Sequence, residues 1–323
     1  VYGADSLSVM RSGARWLTLV SLGWALARWR RLRPRSLLDN APLEKLLAKM
    51  VPLMRLPRLI QKGHLTALAV TASSYSSGEH VTFYESAQAV QPWVRSQRKA
   101  ARDRITHEHL LASSAIPFMF PAKGITIDGH TEYFGDGSMR QSAPIAAAIH
   151  LGAERVLVIG AGRMHEPRGD SAAPPSPSYP SLAQIAGHAL SNIFLDALSV
   201  DVERVQRINQ TLSLIPEEKR THSALRPVEL LVIAPSQRLD AIAARHVGDL
   251  PGPVRTMLGA LGVTSNMADV RGAALASYLL FEQGYTQELM ALGRADTLAR
   301  RADVCRFFGW KDTGAALRTR LPT

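Results

Sequence analysis

Between Gly124 and Ala161 the hydrophobic pattern changes period every few residues, and this narrows the fold more than any other stretch of the chain. "GITIDG" and "EYFGDG" read as short strands ending in glycine turns, "APIAAAIHLG" as an Ala-rich helix closed by Gly152, and "RVLVIGA" as a fully buried strand. Strand, turn, helix and buried strand in succession make a βαβ unit, which predicts an α/β fold with a parallel sheet. In such sheets sites gather at the carboxyl ends of strands, where Asp136 would stand.

The flanking sequence adds further elements. In "DNAPLEKLLAKMV" Asp39 or Asn40 can cap a helix, Pro42 fits its first turn, and Leu43, Leu46, Leu47 and Met50 share a face expected to meet the core. "HLTALAVTASSY" and "EHVTFYES", joined by "SSG", predict a hairpin with Gly78 at positive φ. "HEHLLASSAIPFMFP" predicts a short helix that stops before Pro117, and Ser113, Ser114 and Ala115 are small enough to let backbones approach. Residues 163–181 are rich in Pro and Ser and mark a seam; a long helix, the buried strand "PVELLVIAPS" and a helical C-terminal region follow. The expected division is a first α/β region over 1–165, with 166–323 continuing the α/β domain and adding the helical region.

Composition bounds the function. With 46% hydrophobic and 20% charged residues, the 323-residue chain is globular. Its 38 Lys and Arg against 27 Asp and Glu give a formal charge of +11, which favours anionic partners without choosing between nucleic acid and acidic lipid. Cys305 is the single cysteine, which excludes an intrachain disulfide and a cysteine metal cluster. A reducing compartment follows as the expected setting: the cytoplasm, including its membrane face. The uncharged run from Trp16 to Ala27 is too short to span a bilayer, which needs roughly 20 apolar residues. Trp16, Trp24 and Trp29 with Arg28, Arg30 and Arg31 read equally well as an interfacial helix on anionic lipid and as a buried helix with a solvated basic end. Nucleic-acid binding is not expected, because the arginines are not interleaved with stacking aromatics along a groove.

Asp136 stands between Gly135 and Gly137. Flanking glycines remove bulk and open backbone angles closed to other residues, which suits a carboxylate presented to a second group as an orienting group or general base. Taken alone, the dipeptide fits an ordinary Asp-Gly turn better. The histidines do not decide the matter: His107 and His109 lack the i, i+4 spacing of a zinc-protease helix, and His130 and His150 fall in a loop and at a helix end. No serine has glycine both two residues before and two after it, and neither a Walker loop nor a dinucleotide fingerprint is present, so no cofactor or metal is expected.

Four stretches in order, "RSLLDNAPLEKLL", "HLTALAVTASSYSSGEHVTFYE", "EHLLASSAIPFMFPA" and "YFGDGSMRQSAPIAAAIHLGAERVLVI", together resemble the patatin-like phospholipase family. The resemblance implies a three-layer α/β fold with a mainly parallel central sheet, and an acyl hydrolase that cleaves lipid or phospholipid esters with a Ser-Asp dyad and no histidine. Asp136-Gly137 matches the family's D-G-[G/A] motif with Ser138 in the third place, which makes Asp136 the general base and Gly135 and Gly137 its supporting turn. The family's G-x-S-x-G elbow and Gly-rich oxyanion loop match nothing in this sequence and are expected before Val1. The chain by itself is then expected to be catalytically silent, with unpaired strand edges where the elbow strand would lie. A non-catalytic patatin-like protein held on anionic membranes is the alternative.

Overall fold

The computed structural model describes residues 36, 38–162, 164, 182–220, 225–260, 263 and 270–312. Trp16, Trp24, Trp29, Arg28, Arg30 and Arg31, and all of the Pro/Ser-rich stretch except Met164, lie outside the described residues. The chain divides into two compact units, Val1–Ala87 with Arg95–Gly137, and Gln88–Val94 with Ser138–Thr323.

The first unit carries a six-stranded sheet in the order β3-β4-β2-β1-β6-β5, formed by β1 (Ala67–Ser74), β2 (His80–Ser86), β3 (Val94–Arg95), β4 (Arg98–Arg102), β5 (Lys123–Ile127) and β6 (His130–Asp136). β1 and β2 make the expected hairpin, with Gly78 at φ 72° and Ala72 opposite Val81. A second hairpin joins β5 to β6 through Asp128 and Gly129, both at positive φ, as the twist of a two-residue hairpin turn requires. β6 then pairs antiparallel with β1, while β2 and β4 run parallel. The sheet is therefore mixed rather than mainly parallel: tight turns leave consecutive strands no choice but to run antiparallel.

Alternate residues of these strands build the core. Val70, Ala72, Phe83 and Phe134 pack with Ile60, Ile105, Ala112 and Ile125, and the Phe83 and Phe134 rings meet edge to face at 5.4 Å. The first helix, α1 (Ala41–Met50), starts on its proline with the Ala41 N–H donating to Asp39 Oδ1 at 3.0 Å, so Asp39 makes the terminal bond. It buries none of its side chains, and Met50 is 67% exposed, which corrects the expectation that its apolar face meets the core. A short α2 (Leu56–Gln61) contributes Leu56 and Ile60 to that core. α3 (His107–Ser113) ends before Pro117 as predicted, and its capping box pairs Thr106 with His109, whose Nδ1 accepts the Thr106 N–H at 3.1 Å.

In the second unit, α4 (Ala146–His150), β7 (Arg155–Ile159), α5 (Leu182–Ser213) and β8 (Glu229–Ile233) follow one another, and β7 and β8 pair in parallel. Ile145, Val202, Val205 and Val228 form their core. The parallel unit is thus β7–α5–β8; the one predicted across Asp136 does not form, because β6 and β7 belong to different sheets. β7 also alternates instead of being fully buried, with Ile159 79% exposed, since it has one neighbour and one covered face. A helical C-terminal region follows: α6 (Glu217–Arg220), α7 (Leu239–His246), α8 (Gly252–Ala260), α9 (Val270–Ser277), α10 (Gln283–Ala299) and α11 (Arg301–Phe308). Among the described residues no helix is long and apolar enough to cross a membrane.

Candidate active site

Asp136 is the last residue of β6, at the carboxyl end of the strand. Its register partner is Ala72, so its side chain shares the face of Ala72 and Phe134, and it is 9% exposed. The Asp136 main-chain N–H donates to the Ala115 carbonyl at 3.0 Å, the close backbone approach that Ser113, Ser114 and Ala115 allow just after α3.

The two glycines are explained by contact. A Cβ on Gly135 would sit 2.7 Å from carbons of the Tyr75 ring. One on Gly137 would sit 2.6 Å from Thr71 Oγ1 and collide with the Thr71 carbonyl. Neither glycine is among the described residues with positive φ, so absence of bulk, and not left-handed backbone, is what the site draws on.

Gly135 and Gly137 turn their Cα positions to the face opposite the core cluster, beside Thr71 and Ser73 of β1. Ser73 lies across from His80, the first residue of β2, and both are buried. The His80 ring hydrogen-bonds to the Gly137 backbone. That contact favours the protonated ring. Burial, with the positive charge of Arg98 adding to it, outweighs this bond and lowers the pKa to about 4, so the imidazole is neutral at pH 7. Its Nδ1 and the Ser73 hydroxyl are buried without hydrogen-bond partners.

Tyr75 packs its ring over Gly135, and its phenol is raised above the ordinary range by burial and then by the negative charge of Asp136. Glu132, four residues before Asp136 on β6, ties down the β1–β2 loop: it accepts from Ser74 Oγ at 2.6 Å and Ser77 Oγ at 3.1 Å, and Lys99 Nζ lies 3.6 Å away. The Ser74 bond, foremost, holds its carboxyl below the usual range.

The structure therefore places Gly135, Asp136 and Gly137 together at a rigid strand end. The histidines weighed in the sequence stand elsewhere: His107 Nε2 donates to the Val51 carbonyl at 2.9 Å, His109 caps α3, His130 opens β6, and His150 stacks on Trp93. His80, Tyr75 and Thr71 are the residues that sequence reasoning missed. The hairpin register carried a signal for His80, since pairing across "SSG" sets it opposite Ser73. No group of three His, Cys, Asp or Glu suited to a metal exists among the described residues. A near-buried carboxylate whose main-chain N–H is held by the Ala115 carbonyl can take a proton from a hydroxyl brought against it.

Residues 5–149 match the family model described as Patatin-like phospholipase, and this part of the chain is similar to that family. Among curated proteins and among solved structures, none matches the chain.

Proposed function

We propose that the protein is a serine esterase cleaving fatty-acyl esters, phospholipids or lysophospholipids among them, through a Ser-Asp dyad whose base is Asp136. The observation that carries this reading is the Asp136 carboxylate at the end of β6, between two glycines that neighbouring groups approach too closely for any side chain. A serine hydroxyl is a weak nucleophile at neutral pH and needs an adjacent base. Asp136 takes the hydroxyl proton as Oγ attacks the ester carbonyl, then returns it to the departing alcohol. The acyl-serine ester is cleaved by a water that Asp136 deprotonates in turn. N–H donors aimed at the tetrahedral oxyanion stabilise both steps. No serine of the chain has the elbow's flanking glycines, so this reading assigns the base and leaves the nucleophile unassigned.

The test is Asp136→Asn in the protein carrying its upstream sequence, assayed with a short-chain nitrophenyl ester. The expected result is a loss of roughly a thousandfold or more in kcat with an unchanged melting temperature. Turnover at the wild-type rate would remove Asp136 from the mechanism.

The formal charge of +11 supports a second reading, a peripheral protein on the cytoplasmic face of anionic membranes that engages lipid through Trp16, Trp24, Trp29, Arg28, Arg30 and Arg31 with or without catalysis.

A further inference from the structure

We propose that α1, with the turn that follows it, is a docking surface for anionic membranes: its apolar stripe enters the headgroup layer and the cations beside it meet lipid phosphates. The surface is separate from the segment 16–31, and it does not depend on which residues perform hydrolysis.

Four observations carry it. First, α1 is amphipathic and faces outward. At 3.6 residues per turn Leu43, Leu46, Leu47 and Met50 fall within an arc of about 100°, a stripe that ordinarily packs on a core. Here Leu46 is 55% exposed, Met50 67%, and Met54 in the following turn (Leu53–Arg55) 77%. Second, polar bonds near both ends of the helix hold this pose. The Leu38 N–H donates to the Met119 carbonyl at 2.9 Å, Lys123 Nζ donates to Glu44 Oε2 at 2.8 Å, and His107 Nε2 bonds the Val51 carbonyl at 2.9 Å. The fold thus presents the apolar stripe instead of covering it. Third, residues 41–65 carry Lys45, Lys49, Arg55, Arg58 and Lys62, all exposed, against a single carboxylate, Glu44, which Lys123 already neutralises. Among the described residues none of the five cations is in an ion pair. Lys45 and Lys49 run along one flank of the stripe, where a helix lying in the interface places its basic residues. Fourth, the cations choose the occupant. In a two-fold dimer through this face the patch meets itself, which sets five cations against five. An anionic bilayer supplies negative charge to the cations and a hydrocarbon boundary to the leucines and methionines. The lipid surface is then met by the same compact unit that carries Asp136.

The test is flotation of the full-length protein at low salt with vesicles of phosphatidylcholine alone and of phosphatidylcholine mixed with phosphatidylglycerol. Two double variants probe the face, Leu46→Gln with Met50→Gln and Lys45→Gln with Lys49→Gln; glutamine keeps the helix propensity, so both are expected to fold. Wild type is expected to float with the mixed vesicles and much less with phosphatidylcholine alone, and each double variant to weaken partition onto the mixed vesicles by about tenfold or more. Hydrogen exchange localises the contact: the mixed vesicles slow exchange over residues 41–59 in wild type and not in the variants. Partition within about twofold of wild type in the folded Leu46→Gln, Met50→Gln protein, or equal binding to both kinds of vesicle, overturns the proposal. So does self-association without lipid that the same variant abolishes, which assigns the face to a second copy. Flotation lost when Arg28, Arg30 and Arg31 are replaced but kept when Leu46 and Met50 are replaced overturns this surface and leaves the segment 16–31 as the membrane contact; the opposite pattern upholds it. A wild-type protein that floats through this face without ester turnover upholds the surface and removes the hydrolase reading alone.

Discussion

His80 titrates in the folded chain near a pKa of about 4, against 6.5 for the ordinary ring, because burial and Arg98 oppose its charge. Between those values the unfolded chain holds a proton that the folded chain refuses, so stability falls as pH drops from 6.5 towards 4. Above 6.5 the group has no effect, and below 4 its destabilisation reaches a constant value of about 3 kcal/mol. Urea unfolding at pH 7 and again near pH 4.5 is expected to show this loss in wild type and to show less of it in His80→Gln. An equal acid sensitivity in both proteins would assign it to other groups. At this scale the sequence revealed Asp136 and its glycines but not why the glycines are there. "GDG" allows a left-handed turn and a close approach alike, and only the positions of Tyr75 and Thr71 choose the latter.

The same division holds for whole elements. Turn chemistry, helix caps and alternation are local, so the β1–β2 hairpin, the end of α3 before Pro117 and the strands of "GITIDG" and "EYFGDG" were legible. Which sheet a strand joins is not local, and β6 and β7 went to different sheets although a helical turn separates them as in a βαβ unit. Periodicity likewise tells which residues of α1 share a face and nothing about what that face meets. The β1–β2 loop offers a test at this level. Glu132 gathers Ser74, Ser77 and Lys99, and the Ser74 hydroxyl in turn accepts the Ser76 and Ser77 amides. Glu132→Ala is expected to cost about 1–2 kcal/mol in urea unfolding and to speed hydrogen exchange at Ser76 and Ser77. Unchanged exchange there would mean that the loop holds itself without the carboxylate.

For the whole molecule, net charge is the property with the longest reach. The +11 charge predicts that the full-length protein floats with vesicles containing anionic phospholipid at low salt and separates from them near 1 M salt, where the screening length is about 3 Å. Replacing Arg28, Arg30 and Arg31 by Glu is expected to weaken flotation strongly; flotation unaffected by salt or by those changes would count against membrane association through the basic segment. Charge, globular class, the β1–β2 hairpin and the family motif around Asp136 were determined by the sequence itself, because each depends on composition or on neighbours a few residues apart. The mixed order of the sheet and the contacts that demand glycine at 135 and 137 were decided by the tertiary structure, because each joins groups that are close in space and dozens of residues apart along the chain.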